Sequence, residues 1–148
     1  RLKEAVQRYF FLTTPYSEDK VIKKGKEKKT VTEWKRNIEE REAFIKTKGG
    51  KDRKKGYEAF IKLGDRDPHW KMLRDIPIPD RYRWIWKHFL NIWYQCEHDM
   101  MGNIIFTYGT VNDYVECMKV PLTVIDKKIL FKMKGWALDT ISELKNKG

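Results

Sequence analysis

Cys96, His98 and Cys117, with Glu97 and Asp99 beside them, are the one stretch where metal-donor side chains gather in the chain. Thiolate and imidazole together would suit zinc. A closed zinc site, however, draws its donors in pairs two to four residues apart on both sides. Here the second side is Cys117 alone, so the spacing points to no metal. Bond-making chemistry would need convergent carboxylates, or a nucleophile with its base. His69, His88 and His98 fall in different local patterns, with no nucleophile at a matching spacing. Asp65 and Asp67 flank an arginine in what reads as a turn, where capping is their ordinary role. No glycine-rich phosphate loop occurs. The residues name no cofactor and point away from an enzyme.

What remains is binding by charge and by apolar surface. The chain has 148 residues, is 41% apolar and 14% aromatic, and carries a formal charge of +11. Its charged fraction of 36% exceeds the roughly 25% of ordinary globular proteins. Residues 1–66 hold 20 Lys/Arg against 11 Asp/Glu, and residues 67–148 hold 12 against 10, so the basic character belongs to the first half. Such a half suits nucleic acid, an anionic surface or an acidic partner, and equally a solvated arm. Two cysteines make no disulfide framework. Both lie in helical patterns, so free thiols in a reducing compartment are expected. No apolar run approaches the 18 or so residues of a membrane span, and no membrane partner is expected. The chain starts at Arg1 rather than Met, which suggests a trimmed start or a piece of something longer.

The elements that must position these groups read as mainly α. The expectation is a small domain of about four to six helices over 67–148, preceded by a basic, partly irregular arm over 1–66. Leu2, Ala5, Val6, Tyr9 and Phe10 mark a first short helix that Pro15 stops. Residues 17–29 read as a lysine-rich loop. Thr32 reads as the cap of a helix over about 33–47, with Trp34, Ile38, Arg41 and Ile45 inward and Gly49-Gly50 closing it. The words Glu42-Ala43-Phe44-Ile45-Lys46 and Glu58-Ala59-Phe60-Ile61-Lys62 suggest two similar short helices. Gly64 to Pro68 reads as a hinge and the module boundary, and Ile76-Pro77-Ile78-Pro79 as extended chain. Tyr82, Ile85, Trp86, Phe89, Ile92, Trp93 and Cys96 then form one helical stripe, leaving Trp84 as the exposed aromatic. Thr110 with Asp113, and Thr123 with Asp126, read as capped starts of two further helices. The last helix should bury Ile129, Leu130, Met133, Trp136, Ala137, Ile141 and Leu144, with Gly135 offering a close helix approach.

Helix, short turn and helix over Thr110 to Lys134 also outline a nucleic-acid reader with Thr123, Lys127, Lys128 and Lys132 on its second helix. Lys23, Lys24, Lys26, Lys28 and Lys29, with Lys51, Arg53, Lys54 and Lys55, would add phosphate contacts. A helical hairpin used only for packing gives the same pattern.

Asp67-Pro68-His69-Trp70, Pro77-Ile78-Pro79-Asp80-Arg81-Tyr82, Trp84-Ile85-Trp86-Lys87-His88-Phe89-Leu90, Ile105-Phe106-Thr107-Tyr108 and Pro121-Leu122-Thr123-Val124-Ile125-Asp126 follow one another in this order. Over about residues 67–144 this resembles the C-terminal part of tail assembly chaperones and related small tail-assembly proteins of long-tailed bacteriophages. The resemblance implies a non-enzymatic viral helper of the reducing host cytoplasm, one that can oligomerise and can be built into the virion. It would keep a helical tape-measure protein soluble and recruit tube subunits. Trp84, Trp86, Phe89 and Trp93 would be its groove for an apolar helix face. The competing readings are a nucleic-acid-binding module built on the lysines above, and a virion component whose first 66 residues thread between subunits.

Overall fold

The computed structural model describes residues 1–147, and the expected mainly-α class holds. Seven α-helices and one two-stranded sheet follow in the order α1 (Leu2–Thr13), β1 (Tyr16–Lys24), β2 (Glu27–Lys35), α2 (Asn37–Gly49), α3 (Arg53–Arg66), α4 (Pro68–Met72), α5 (Arg83–Gln95), α6 (Tyr108–Met118) and α7 (Val124–Lys147). A 3₁₀ turn, Asp80–Tyr82, leads into α5. The chain forms two units. One is Pro77–Leu138 with Arg1–Val6; the other is Gln7–Ile76 with the end of α7 from Asp139. The division thus falls at Ile76/Pro77, in the proline-punctuated stretch. Gly64 to Arg66, read from the sequence as a hinge, lies inside α3.

In the second unit, α2 doubles back onto α3 through a three-residue turn. Leu12, Ile45, Phe60 and Leu73 are buried together, with Phe11, Ile38, Phe44, Ile61 and Trp70 against them. The two five-residue words therefore each supply a Phe-Ile pair to this core, Phe44 and Ile45 from α2 and Phe60 and Ile61 from α3. Glycine permits the approach of these helices. A side chain on Gly56 would overlap the Ile45 carbonyl, and one on Gly49 would stand 2.8 Å from the Gly56 nitrogen. Gly50, at φ +56, ends α2 and its N–H donates to the Lys46 carbonyl. Gly64 lies under the Arg74 guanidinium, which donates to the Ile61 carbonyl and to Asp65 Oδ1.

Residues 16–35 depart most from expectation. They are neither a loop nor the start of α2 but an antiparallel hairpin, with Tyr16 opposite Lys35 and Lys24 opposite Glu27. Gly25 has φ +62 while Lys26 keeps a negative φ, the sign pattern of a II′ turn, whose twist suits a two-residue hairpin loop. Thr32 caps no helix; its hydroxyl donates across the ribbon to Asp19 Oδ1 at 2.9 Å. Trp34 is on the strand and 69% exposed. Ile38, Arg41 and Ile45 do turn inward as expected, on a helix that starts later.

In the first unit, Ile85, Phe89 and Ile92 of α5, Val111 and Tyr114 of α6, and Leu130, Met133 and Ala137 of α7 are buried, as is Phe106 between helices. The α6 cap sits three residues before the expected one. Thr107 accepts from the Thr110 N–H, and Thr110 Oγ1 accepts from the Thr107 N–H. The α7 cap is the expected box, with Thr123 N–H to Asp126 Oδ2 at 2.9 Å and Asp126 N–H to Thr123 Oγ1 at 3.2 Å. Asp80 provides no helix cap; it pairs with Arg83 at 2.9 Å. Gly135 has open space where a side chain would stand, so it serves no close helix contact.

Candidate interaction surfaces

The aromatic stripe of α5 builds the interior of the first unit rather than an open groove. Phe89 is fully buried. Trp86 stacks on it with centroids 5.6 Å apart, and Trp93 lies tilted against it at 5.7 Å. Both tryptophans are half-buried. The ring contacts continue from Phe89 to Phe106 and on to Phe131 and Tyr108. Lys134 closes this stack: its ammonium donates to the Phe106 carbonyl at 2.6 Å and lies 5.8 Å from the Phe106 and Phe131 centroids. Of the four groove candidates only Trp84 is exposed, at 44%, and its ring rests against the edge of His88.

His88 is held by hydroxyl chemistry. Its Nδ1 lies 2.7 Å from the Tyr114 hydroxyl, which also accepts from Asn91 Nδ2 at 3.2 Å. A hydroxyl accepting from Asn91 keeps its own proton free to donate to Nδ1, and a neutral ring with N–H at Nε2 fits that arrangement. Burial, helped by the adjacent Lys87 charge, pushes the His88 pKa below its ordinary value.

Apolar groups stand in solvent on the same unit, among them Met118, which helical spacing would put on the inner face of α6 with Val111, Tyr114 and Val115. Asp99 accepts from the Met101 and Asn103 N–H groups and turns a tight loop. Those bonds, led by Asn103, hold the Asp99 carboxyl below its usual range. The loop presents Met100 and Met101 almost wholly to water. Where α6 gives way to α7, Met118, Val124 and Ile125 are also exposed, the last two at 68% and 70%. The turn between them has Lys119 in the left-handed region, φ +51, its N–H donating to the Val115 carbonyl.

The metal-donor cluster does not close. Among the described residues no three Cys, His, Asp or Glu side chains converge for an ion. Cys96 is half-buried, and burial raises its thiol pKa against the pull of Lys134, while Cys117 is exposed.

The basic residues separate by type. Arginines are staples. Arg41, buried, donates to the Leu73 carbonyl and pairs with Asp75 at 2.9 Å. Arg53 pairs with Glu42 at 2.7 Å and thereby holds the Glu42 carboxyl below its ordinary pKa. Arg8 reaches the Arg74 carbonyl at 2.8 Å. Lysines are mostly left in water. Lys23, Lys26, Lys28 and Lys29 stand on the hairpin, with Lys24, whose side chain lies outside the description. Lys51, Lys54 and Lys55 stand exposed at and just after the α2–α3 turn. On α7, Lys127 donates to Asn112 at 3.1 Å, Lys128 is exposed, and Lys132 lines a cleft of about 410 Å³ with Arg81, Tyr82 and Trp136. The helix pair thus ties down one of its three proposed reading lysines.

No helix among the described residues is long and apolar enough to cross a membrane. Compared with known proteins, the chain matches no family model, no curated protein and no solved structure.

Proposed function

We propose that this protein is a non-enzymatic assembly factor that holds apolar segments of partner proteins, of the kind the resemblance to phage tail-assembly chaperones implies. The observation that carries the reading is the set of large apolar side chains left in water on a unit whose interior is already filled. Met100 and Met101 stand on one loop, and Met118, Val124 and Ile125 flank another. Exposed apolar surface beyond scattered single residues marks an interaction site. Methionine in particular adapts to varied apolar partners. The receiving surface in this reading is the methionine loop and the α6–α7 turn, with Trp84 as an added anchor, instead of the four-aromatic groove.

The test is co-expression with the tape-measure protein of a long-tailed phage encoded in the same genome, in nuclease-treated extract. The wild-type chain is expected to keep that protein in the soluble fraction and to co-purify with it. Met118→Ser, Val124→Ser and Ile125→Ser together are expected to abolish both while the chain itself melts within a few degrees of wild type. A triple variant that still co-purifies fully removes the proposed surface.

A further inference from the structure

The hairpin is the part of the fold that packing does not explain. Every described side chain from Glu18 to Thr30 is exposed, and residues 20–30 carry six lysines and one carboxylate, Glu27. A two-stranded ribbon without an apolar face is at best marginal in water. This one is further taxed at its tip, because Lys23 and Lys28 are directly opposite one another and like charges so placed repel. Nearer the base the charges are neutralised, with Lys20 pairing with Glu33 and Lys35 with Glu18, both at 3.0 Å. At the tip, among the described residues, no carboxylate comes within 4 Å of Lys23, Lys26, Lys28 or Lys29. Folding gains nothing from these four charges.

We infer that the hairpin tip is a binding arm for duplex DNA, set by phosphate contacts and not by base sequence. A two-stranded antiparallel ribbon fits the major groove of B-form DNA, about 12 Å wide. Four unpaired ammonium groups at its tip can meet the phosphates that flank that groove. The major groove of A-form RNA is too deep and narrow to admit it. An anionic membrane surface attracts the same charges, but seating the ribbon in it would need apolar residues on one side. Val21 and Ile22 are consecutive in the strand and so lie on opposite faces, leaving no apolar side to insert. The arm uses different residues from the apolar surface above and does not depend on that reading.

The experiment is fluorescence anisotropy of a 20-base-pair mixed-sequence duplex with the full chain, across a sodium chloride series. Engaging about four phosphates gives a log–log salt slope of about −3.6, so that affinity falls about a hundredfold between 50 and 200 mM salt. Lys23→Gln, Lys26→Gln, Lys28→Gln and Lys29→Gln together are expected to flatten that slope towards zero with no loss of melting temperature. A matched control, Lys51→Gln, Lys54→Gln, Lys55→Gln and Lys62→Gln, removes the same charge from α3 and its approach, and is expected to keep most of the slope. Absence of salt-dependent binding by the wild-type chain overturns the inference. So do equal losses in the two variants, or binding to duplex RNA or to phosphatidylserine vesicles as tight as to DNA.

Discussion

At the scale of single residues, the sharpest division is between arginine and lysine. Arg8, Arg41 and Arg74 all put guanidinium donors on backbone carbonyls of the second unit. The planar five-donor fork suits that work, whereas the more strongly hydrated lysine heads mostly stay in water, Lys134 on the Phe106 carbonyl being an exception. A charge count adds the two types together, and for that reason the basic half looked like an arm when much of it is a folded unit. His88 offers the cleanest titration. Its folded pKa lies below the unfolded value of 6.5 because burial and Lys87 disfavour the charged ring. Between the two values the unfolded chain binds more protons, so stability is lost as pH falls below about 6.5 and is unaffected above it. Thermal melts at pH 7.5 and 5.5 are expected to show a larger drop for the wild-type chain than for His88→Gln. Equal drops would place the ring in water. Thr140 shows what residue type conceals. It continues the seam Leu130, Met133, Ala137 and Leu144 at spacings of three and four and is buried, yet its hydroxyl kept it off the expected core.

At the scale of elements, apolar spacing located α1, α5, α6 and α7, because each has a face long enough for the period to repeat. The hairpin has no such face. The spacing Trp34, Ile38, Arg41, Ile45 imitated one long helix, and Thr32 imitated its cap. The better clue was local: Thr30-Val31-Thr32 favours strand, and a glycine opens the two-residue turn. Close approaches are likewise invisible until two helices meet. Gly56 and Gly135 are both glycines within helices, with opposite consequences. Gly56→Ala drives a methyl group into the Ile45 carbonyl and is expected to cost about 3 kcal/mol, in the range of overpacked cores. Gly135→Ala meets nothing and is expected to gain about 1 kcal/mol from helix propensity. Urea denaturation of the two variants checks both signs. A Gly56→Ala protein as stable as wild type would mean that α2 and α3 do not pack at this distance.

At the scale of the whole molecule, each of the two units has its own buried side chains, and each leaves a different kind of surface unpaired. One has methionines and aliphatics in water around a filled aromatic interior; the other has a lysine-tipped ribbon. Both features are what the proposed role, binding other macromolecules, calls for. The ring-rich stretch 82–96 drew attention in the sequence because aromatics dominate interfaces, but aromatics also dominate cores, and burial decides between these only after folding. The most direct measurement of the central claim is amide hydrogen exchange of the chain, free and bound to a solubilised tape-measure helix. New protection is expected at Met100–Asn103 and across Met118–Ile125, with the hairpin amides unchanged. Protection confined to the hairpin, or unchanged exchange throughout at saturating partner, would contradict it.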